Sequence, residues 1–258
     1  MNDPHVKKLF YKVISSEHTD YDKAPPISGE TDDFSWRLNK DRLAVVMKIY
    51  FATEHEARQI VDKYLDGWEI AIGLYHGPES LKFAFERAKF IDLQLPNENG
   101  MTDSEASIDA NSTTLDAVVH ASHDEFLPPF QNFKVSPEVE MMYMRYKLYR
   151  EGRETLLGTA HWCYTLMEYA AGGRSEAADQ YRIDYRVLRR LGEICGNRRA
   201  VNEARKLEGN AGINQLKPSE REWVRAVVKR LILRVGEYAY DPFSKLPLLT
   251  MADFPSIQ

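Results

Sequence analysis

Apolar positions recur along this chain with two different periods, and the change between them divides it in two. In the N-terminal half the period is two. Leu9-Phe10-Tyr11-Lys12-Val13-Ile14 is a candidate first strand, Phe34-Ser35-Trp36-Arg37-Leu38 alternates apolar with polar, and Leu43, Val45, Met47, Ile49 and Phe51 do the same. Asn39-Lys40-Asp41 between the last two is turn chemistry, so they read as a hairpin. Thr53-Glu54-His55-Glu56 is a capping box, and Ala57, Ile60, Val61, Tyr64 and Leu65 behind it form a helical stripe. Alternation returns in Trp68, Ile70, Ile72 and Leu74, which predicts a strand turning at Gly77-Pro78. Leu81, Phe83 and Phe85 open another strand, which runs on to Leu95. Pro96 to Thr114 is polar and reads as an exposed loop, and Leu115 to Phe126 as a further strand.

After Pro128-Pro129 the period becomes 3.6. Ser136-Pro137 is an N-cap with proline at the first helical position, followed by Val139, Met142, Tyr143 and Tyr146. Glu154 to Ala171 carries Leu156, Leu157, Ala160, Cys163, Tyr164 and Met167 on one stripe, and Gly172-Gly173 supplies a left-handed stop. A short helix follows from Ser175 to about Tyr181, and Asp184 caps another that carries Val187, Leu188, Leu191 and Ile194. The last helix opens with a second capping box at Ser219–Glu222 and continues through Val235 to Asp241-Pro242. The expected fold class is α+β: an antiparallel-sheet module with one helix over residues 1–130, then a helical bundle over residues 131–258.

Charge follows the same division. Residues 1–138 hold 14 Lys/Arg against 24 Asp/Glu, whereas residues 139–240 hold 19 against 13, within a net charge of −5. Such asymmetry points to an anionic partner for the second half. No apolar run reaches the length of a membrane span, and the two cysteines, Cys163 and Cys195, both fall on apolar helical stripes. Buried thiols in a reducing, cytoplasmic setting are expected, with no membrane partner.

Familiar chemistry is sparse. The chain has no G-x-x-x-x-G-K or G-x-G-x-x-G phosphate loop, no G-x-S-x-G elbow and no Cys-x-x-Cys. His120-Ala121-Ser122-His123-Asp124-Glu125 is rich in metal-ligating side chains. Beside Val118-Val119 it reads as a strand end, where residues three apart point to opposite faces, and no metal or cofactor is expected. His18 and His55, among acidic neighbours, read as solvated. The strongest feature is Ser175 to Leu191, which has the cadence of a helix-turn-helix, with Ala177 and Ala178 allowing close packing and Ile183 filling the turn. Arg182, Arg186, Arg189 and Arg190 cluster there, and Arg198, Arg199, Arg205 and Lys206 follow. Such a group either neutralises phosphates or is solvated and paired with Glu176, Asp179, Asp184 and Glu193.

The stretches Tyr146–Cys163 and Ser219–Arg234 resemble bacterial proteins with a β-rich N-terminal half and a helical C-terminal half. That helical half is loosely similar to the HEPN bundles of toxin and phage-defence proteins, over about the last 120 residues and through helix pattern more than a fixed motif. HEPN ribonucleases carry Arg, four to six residues, then His on one helix. Here seven residues separate Arg153 from His161. The expected function is therefore a non-catalytic binding protein for nucleic acid or a protein partner, with a defence or toxin setting implied by the resemblance. A divergent ribonuclease using Arg153 and His161 is the alternative, and a structural subunit of a homo-oligomer is the third.

Overall fold

The computed structural model describes residues 3–14, 19–21, 24–92, 121–122, 126–130, 132–197 and 216–257. The expected loop at 96–114, His18, His120, His123, Asp124, Glu125, Arg198, Arg199, Arg205 and Lys206 all lie outside these. The α+β class is observed, and the chain divides into two compact units. One comprises residues 1–65 and 79–128, the other residues 66–78 and 129–258.

The first unit is built on a five-stranded antiparallel sheet. Its strands are β1 (Pro4–Ile14), β3 (Ile27–Glu30), β4 (Phe34–Asn39), β5 (Arg42–Met47) and β6 (Lys82–Asp92), in the order β3-β4-β5-β1-β6. The expected hairpin is present: Asn39 pairs with Arg42 across a two-residue turn in which Lys40 takes φ +52°. Leu9, Tyr11 and Val13 alternate inward on β1, joined by Phe34, Trp36 and Leu38 on β4 and Leu43, Val45 and Met47 on β5. Val6 is also buried although it lies three positions from Leu9. A register shift between Val6 and Lys8 against β6 inserts the extra residue that returns Val6 to the inner face. Helix α1 (Glu54–His76) starts at the expected box, with Thr53 Oγ1 accepting from the Glu56 amide and Glu56 from the Thr53 amide. Its Ala57, Val61 and Leu65 are buried, Tyr11 Oη donates to Asp62 at 2.6 Å, and Trp36 Nε1 donates to Tyr64 Oη at 2.9 Å. A minor parallel pair joins β2 (Thr19–Asp20) to β7 (Ala121–Ser122).

The strand expected at Trp68–Leu74 is instead the second half of α1. Trp68, Ile70, Ala71, Ile72 and Leu74 are all buried, so the apolar surface spreads over more than one helix face and its period disappears. Gly73 permits this packing, because a Cβ there would overlap the Tyr143 hydroxyl.

The second unit contains α2 (Pro137–Arg150), α3 (Leu156–Ala171), α4 (Arg174–Gln180), α5 (Tyr185–Asn197) and α6 (Pro218–Tyr240), with a 3-10 turn at Met251–Asp253. Ser136 caps α2 as expected, Thr155 caps α3, and Gly172 at φ +88° ends α3 while the Gly173 amide returns to the Glu168 carbonyl. Helix α6 starts one residue before the expected Ser219 cap. Pro218 occupies its first turn, and Glu220 rather than Glu222 reaches back, accepting from the Lys217 amide at 3.0 Å. Trp223, Val224, Val227, Val228, Leu231, Ile232 and Val235 place α6 in a continuous core with α2, α3 and α5. Where Gly236 meets the Phe133 ring a Cβ would again overlap, and the Gly236 carbonyl accepts from the Lys134 amide. Cys163 and Cys195 are buried free thiols, pushed upward in pKa chiefly by burial, Cys195 to about 12.

Candidate anion-binding surface

The helix-turn-helix cadence is present in the backbone: α4, a connection at residues 181–184, then α5. Ala177, Ala178 and Ile183 are buried as expected. The Asp184 carboxylate accepts from the Arg186 amide at 2.8 Å and so caps α5. It also holds the Arg186 guanidinium, with Nη2 at 2.6 Å, and these bonds keep Asp184 below the usual carboxylate range. Arg189 and Arg190 lie 3.6 and 3.4 Å from Glu193, and Arg190 also lies 3.8 Å from Glu220. Three of the four expected anion-binding arginines are thus engaged with carboxylates. Arg182 is exposed, at φ +52°, and its carbonyl accepts from the Leu249 amide.

Arg153 and His161 do not share a helix. Arg153 stands in the connection between α2 and α3, 70% exposed and 3.5 Å from Glu151. His161 is on α3, with Nδ1 2.8 Å from Thr165 Oγ1 and its ring edge-on to Tyr164. Among the described residues no group of three His, Cys, Asp or Glu side chains could hold a metal ion.

A different set of cations stands without carboxylate partners among the described residues. Within the second unit Arg145, Arg174 and Arg230 are each in an ion pair, with Glu154, Glu168 and Glu237. Arg150, in the last turn of α2, instead donates from Nη1 to Tyr146 Oη at 3.2 Å. Arg225 on α6 donates from Nε to Tyr149 Oη at 3.3 Å. Lys229 is one turn further along α6 and half-buried. Among the described residues none of the three is in an ion pair. The Lys229 ammonium is held below the ordinary lysine range, first by burial and then by the charges of Arg150 and Arg225, so the three share one field. Tyr146 is fully buried, and its hydroxyl donates to the Leu74 carbonyl at 3.5 Å.

Beside this cluster opens a cleft of about 500 Å³. Its lining comes from α6, through Ala226, Lys229, Arg230 and Leu233, from Leu74 and Tyr75, and from Pro247, Leu248, Leu249, Asp253 and Phe254. Arg230 is forked onto Glu237 at 2.6 and 3.1 Å. Asp253 accepts from the Thr250 amide at 2.7 Å and from its hydroxyl at 2.9 Å. Tyr75 is 54% exposed at this cleft.

Local arginine density in the sequence marks the Arg182–Arg190 cluster and does not mark this second set. A signal was present: Arg221, Arg225 and Lys229 recur every four residues on α6, a like-charge stripe that weakens a helix unless something answers it. Arg150, 75 positions before Arg225, could not be joined to it from spacing. No helix among the described residues is long and apolar enough to cross a membrane. Comparison with protein-family models, curated proteins and solved structures yields no match.

Proposed function

We propose that this chain is a non-catalytic binding protein whose helical unit holds a nucleic acid through its phosphates. The observation that carries the reading is the trio Arg150, Arg225 and Lys229, drawn from two helices, its two arginines hydrogen-bonded to phenols and none of the three in an ion pair among the described residues. Gathering three cations without compensation costs stability, and a phosphate backbone offsets that cost. The Arg182–Arg190 flank supports the reading less, because carboxylates already neutralise most of it. Arginine forks and a partly desolvated lysine suit phosphate oxygens, and among the described residues no constellation of nucleophile, base and oxyanion donors accompanies them.

The test is fluorescence anisotropy of labelled single-stranded and duplex oligonucleotides between about 50 and 300 mM salt. Three phosphate contacts predict a slope of log affinity against log salt near −2.7 for duplex and near −2.1 for a single strand. Absence of binding at the lowest salt sinks the nucleic-acid reading and turns the search to an acidic protein partner.

A further inference from the structure

The cleft beside the cation cluster has a chemistry of its own, different from that of a phosphate backbone. We propose that it binds a small amphipathic anion: a carboxylate bearing an aliphatic chain, its head on Lys229 and its chain among Leu74, Leu233 and Leu248. At about 500 Å³ the cleft lies within the roughly 300–1,000 Å³ of small-molecule sites. Its walls are mainly aliphatic, and Leu248 is left 48% exposed.

The polar groups in the walls decide what the ligand is. Arg230 is forked onto Glu237, and Asp253 is held by Thr250. The carbonyls of Pro247 and Leu249 accept from Arg234 Nη1 and from the Asp184 amide. A nucleobase would bring several donors and acceptors to walls whose side-chain polar groups, apart from Lys229 and the Tyr75 hydroxyl, are already engaged, and would lose much of its hydration without replacement. An aliphatic chain asks for none. Lys229 is the lining cation with no carboxylate among the described residues, and the fields of Arg150 and Arg225 reinforce its attraction for an anion while repelling an amine. Of the three charged side chains in the lining, Arg230 is paired with Glu237 and Asp253 is held onto Thr250, which leaves Lys229 for an anionic head and the aliphatic walls for a hydrocarbon body.

The experiment is isothermal titration calorimetry of the full chain with hexanoate, octanoate and decanoate, and with octylammonium as the charge-reversed control. Burial of each methylene is worth about 0.8 kcal/mol, so affinity should rise about fourfold per methylene, or about sixteenfold per step of the series. Lys229→Met should weaken octanoate at least tenfold, as loss of a charge-assisted bond does. Ala226→Phe should fill the cleft and abolish octanoate binding. Circular dichroism should show both variants folded, and oligonucleotide anisotropy on the Ala226→Phe protein should match wild type. A flat response to chain length, equal binding of octylammonium, or full retention of octanoate by Lys229→Met overturns the proposal. Because oligonucleotide binding is read separately, either site can fail while the other stands.

Discussion

Arg234 Nη1 donates to the Tyr181 carbonyl at 2.9 Å, and that fully buried guanidinium ties three segments together. The same nitrogen donates to the carbonyls of Arg182 at 3.2 Å and Pro247 at 2.8 Å, while Nε lies 2.9 Å from Glu237. The α4–α5 connection and the C-terminal segment are thus fastened to α6, and the fastening is completed by the parallel bridge between Ile183 and Leu249. The segment that Arg234 holds also forms one wall of the cleft.

Arg234→Ala should therefore destabilise the protein by about 3–5 kcal/mol, because Glu237 and three carbonyls lose a buried cation at once. Urea unfolding measures the loss. Hydrogen exchange adds a local check: the Leu249 amide, bonded to the Arg182 carbonyl at 2.9 Å, should exchange faster in the variant than in wild type. An unchanged midpoint would show that the clamp is dispensable.

Gly236→Ala separates helix propensity from packing. Propensity alone promises a gain of about 1 kcal/mol for removing a glycine from a helix interior. The Phe133 ring occupies the space a methyl would need, and overpacking of this kind costs about 1–3 kcal/mol. A net loss is expected, and Phe133→Leu in the same chain should recover most of it. A stabilised single variant would mean that Phe133 moves aside freely.

How far the sequence foretold this structure varied with the kind of signal. Local chemistry was readable: Thr53 and Glu56, Ser136 with Pro137, and Gly172 end their elements where their side chains or φ require. What failed was periodicity under complete burial. Around Trp68 to Leu74 both faces of a helix are apolar, so alternation and helical spacing could not be distinguished. The arginine cluster was legible as residues but its ion pairs were not. Density of arginine marked Arg186, Arg189 and Arg190, but density also places carboxylates such as Asp184 and Glu193 within reach. The uncompensated trio is assembled by tertiary packing of α2 on α6, which no window of sequence contains.

Asp184 supplies a pH prediction. Its hydrogen bonds to Arg186 depress its folded pKa below the ordinary carboxylate value, so its contribution to stability is present above about pH 3.9 and is lost as pH falls through the folded value. Asp184→Asn should destabilise at pH 7 and approach wild type in acid. Parallel stability curves from pH 7 to pH 2 would show that the pairing contributes nothing.

The thiols should be inert in the native state. Burial raises both pKa values, Cys195 to about 12, so almost no thiolate exists at pH 8. A thiol reagent should react slowly with folded protein and stoichiometrically, with two groups, on denaturation. Fast native labelling of either residue would show that its helix opens readily.

The decisive comparison sets two arginine surfaces against each other. Arg150→Gln, Arg225→Gln and Lys229→Gln together remove three cations that have no carboxylate to lose among the described residues. Their mutual repulsion goes with them, so the triple variant should melt at or above the wild-type temperature. Its salt slope on duplex should flatten by about 2.7. Arg186→Gln, Arg189→Gln and Arg190→Gln remove the same charge but strand Asp184 and Glu193, so that variant should melt lower while keeping most of the slope. Opposite signs in stability and in binding are expected from the same change of net charge. If both variants lose slope equally, general electrostatics governs binding and the trio is no site. If only the second loses slope, the surface lies on α5 and its carboxylates give way to phosphates.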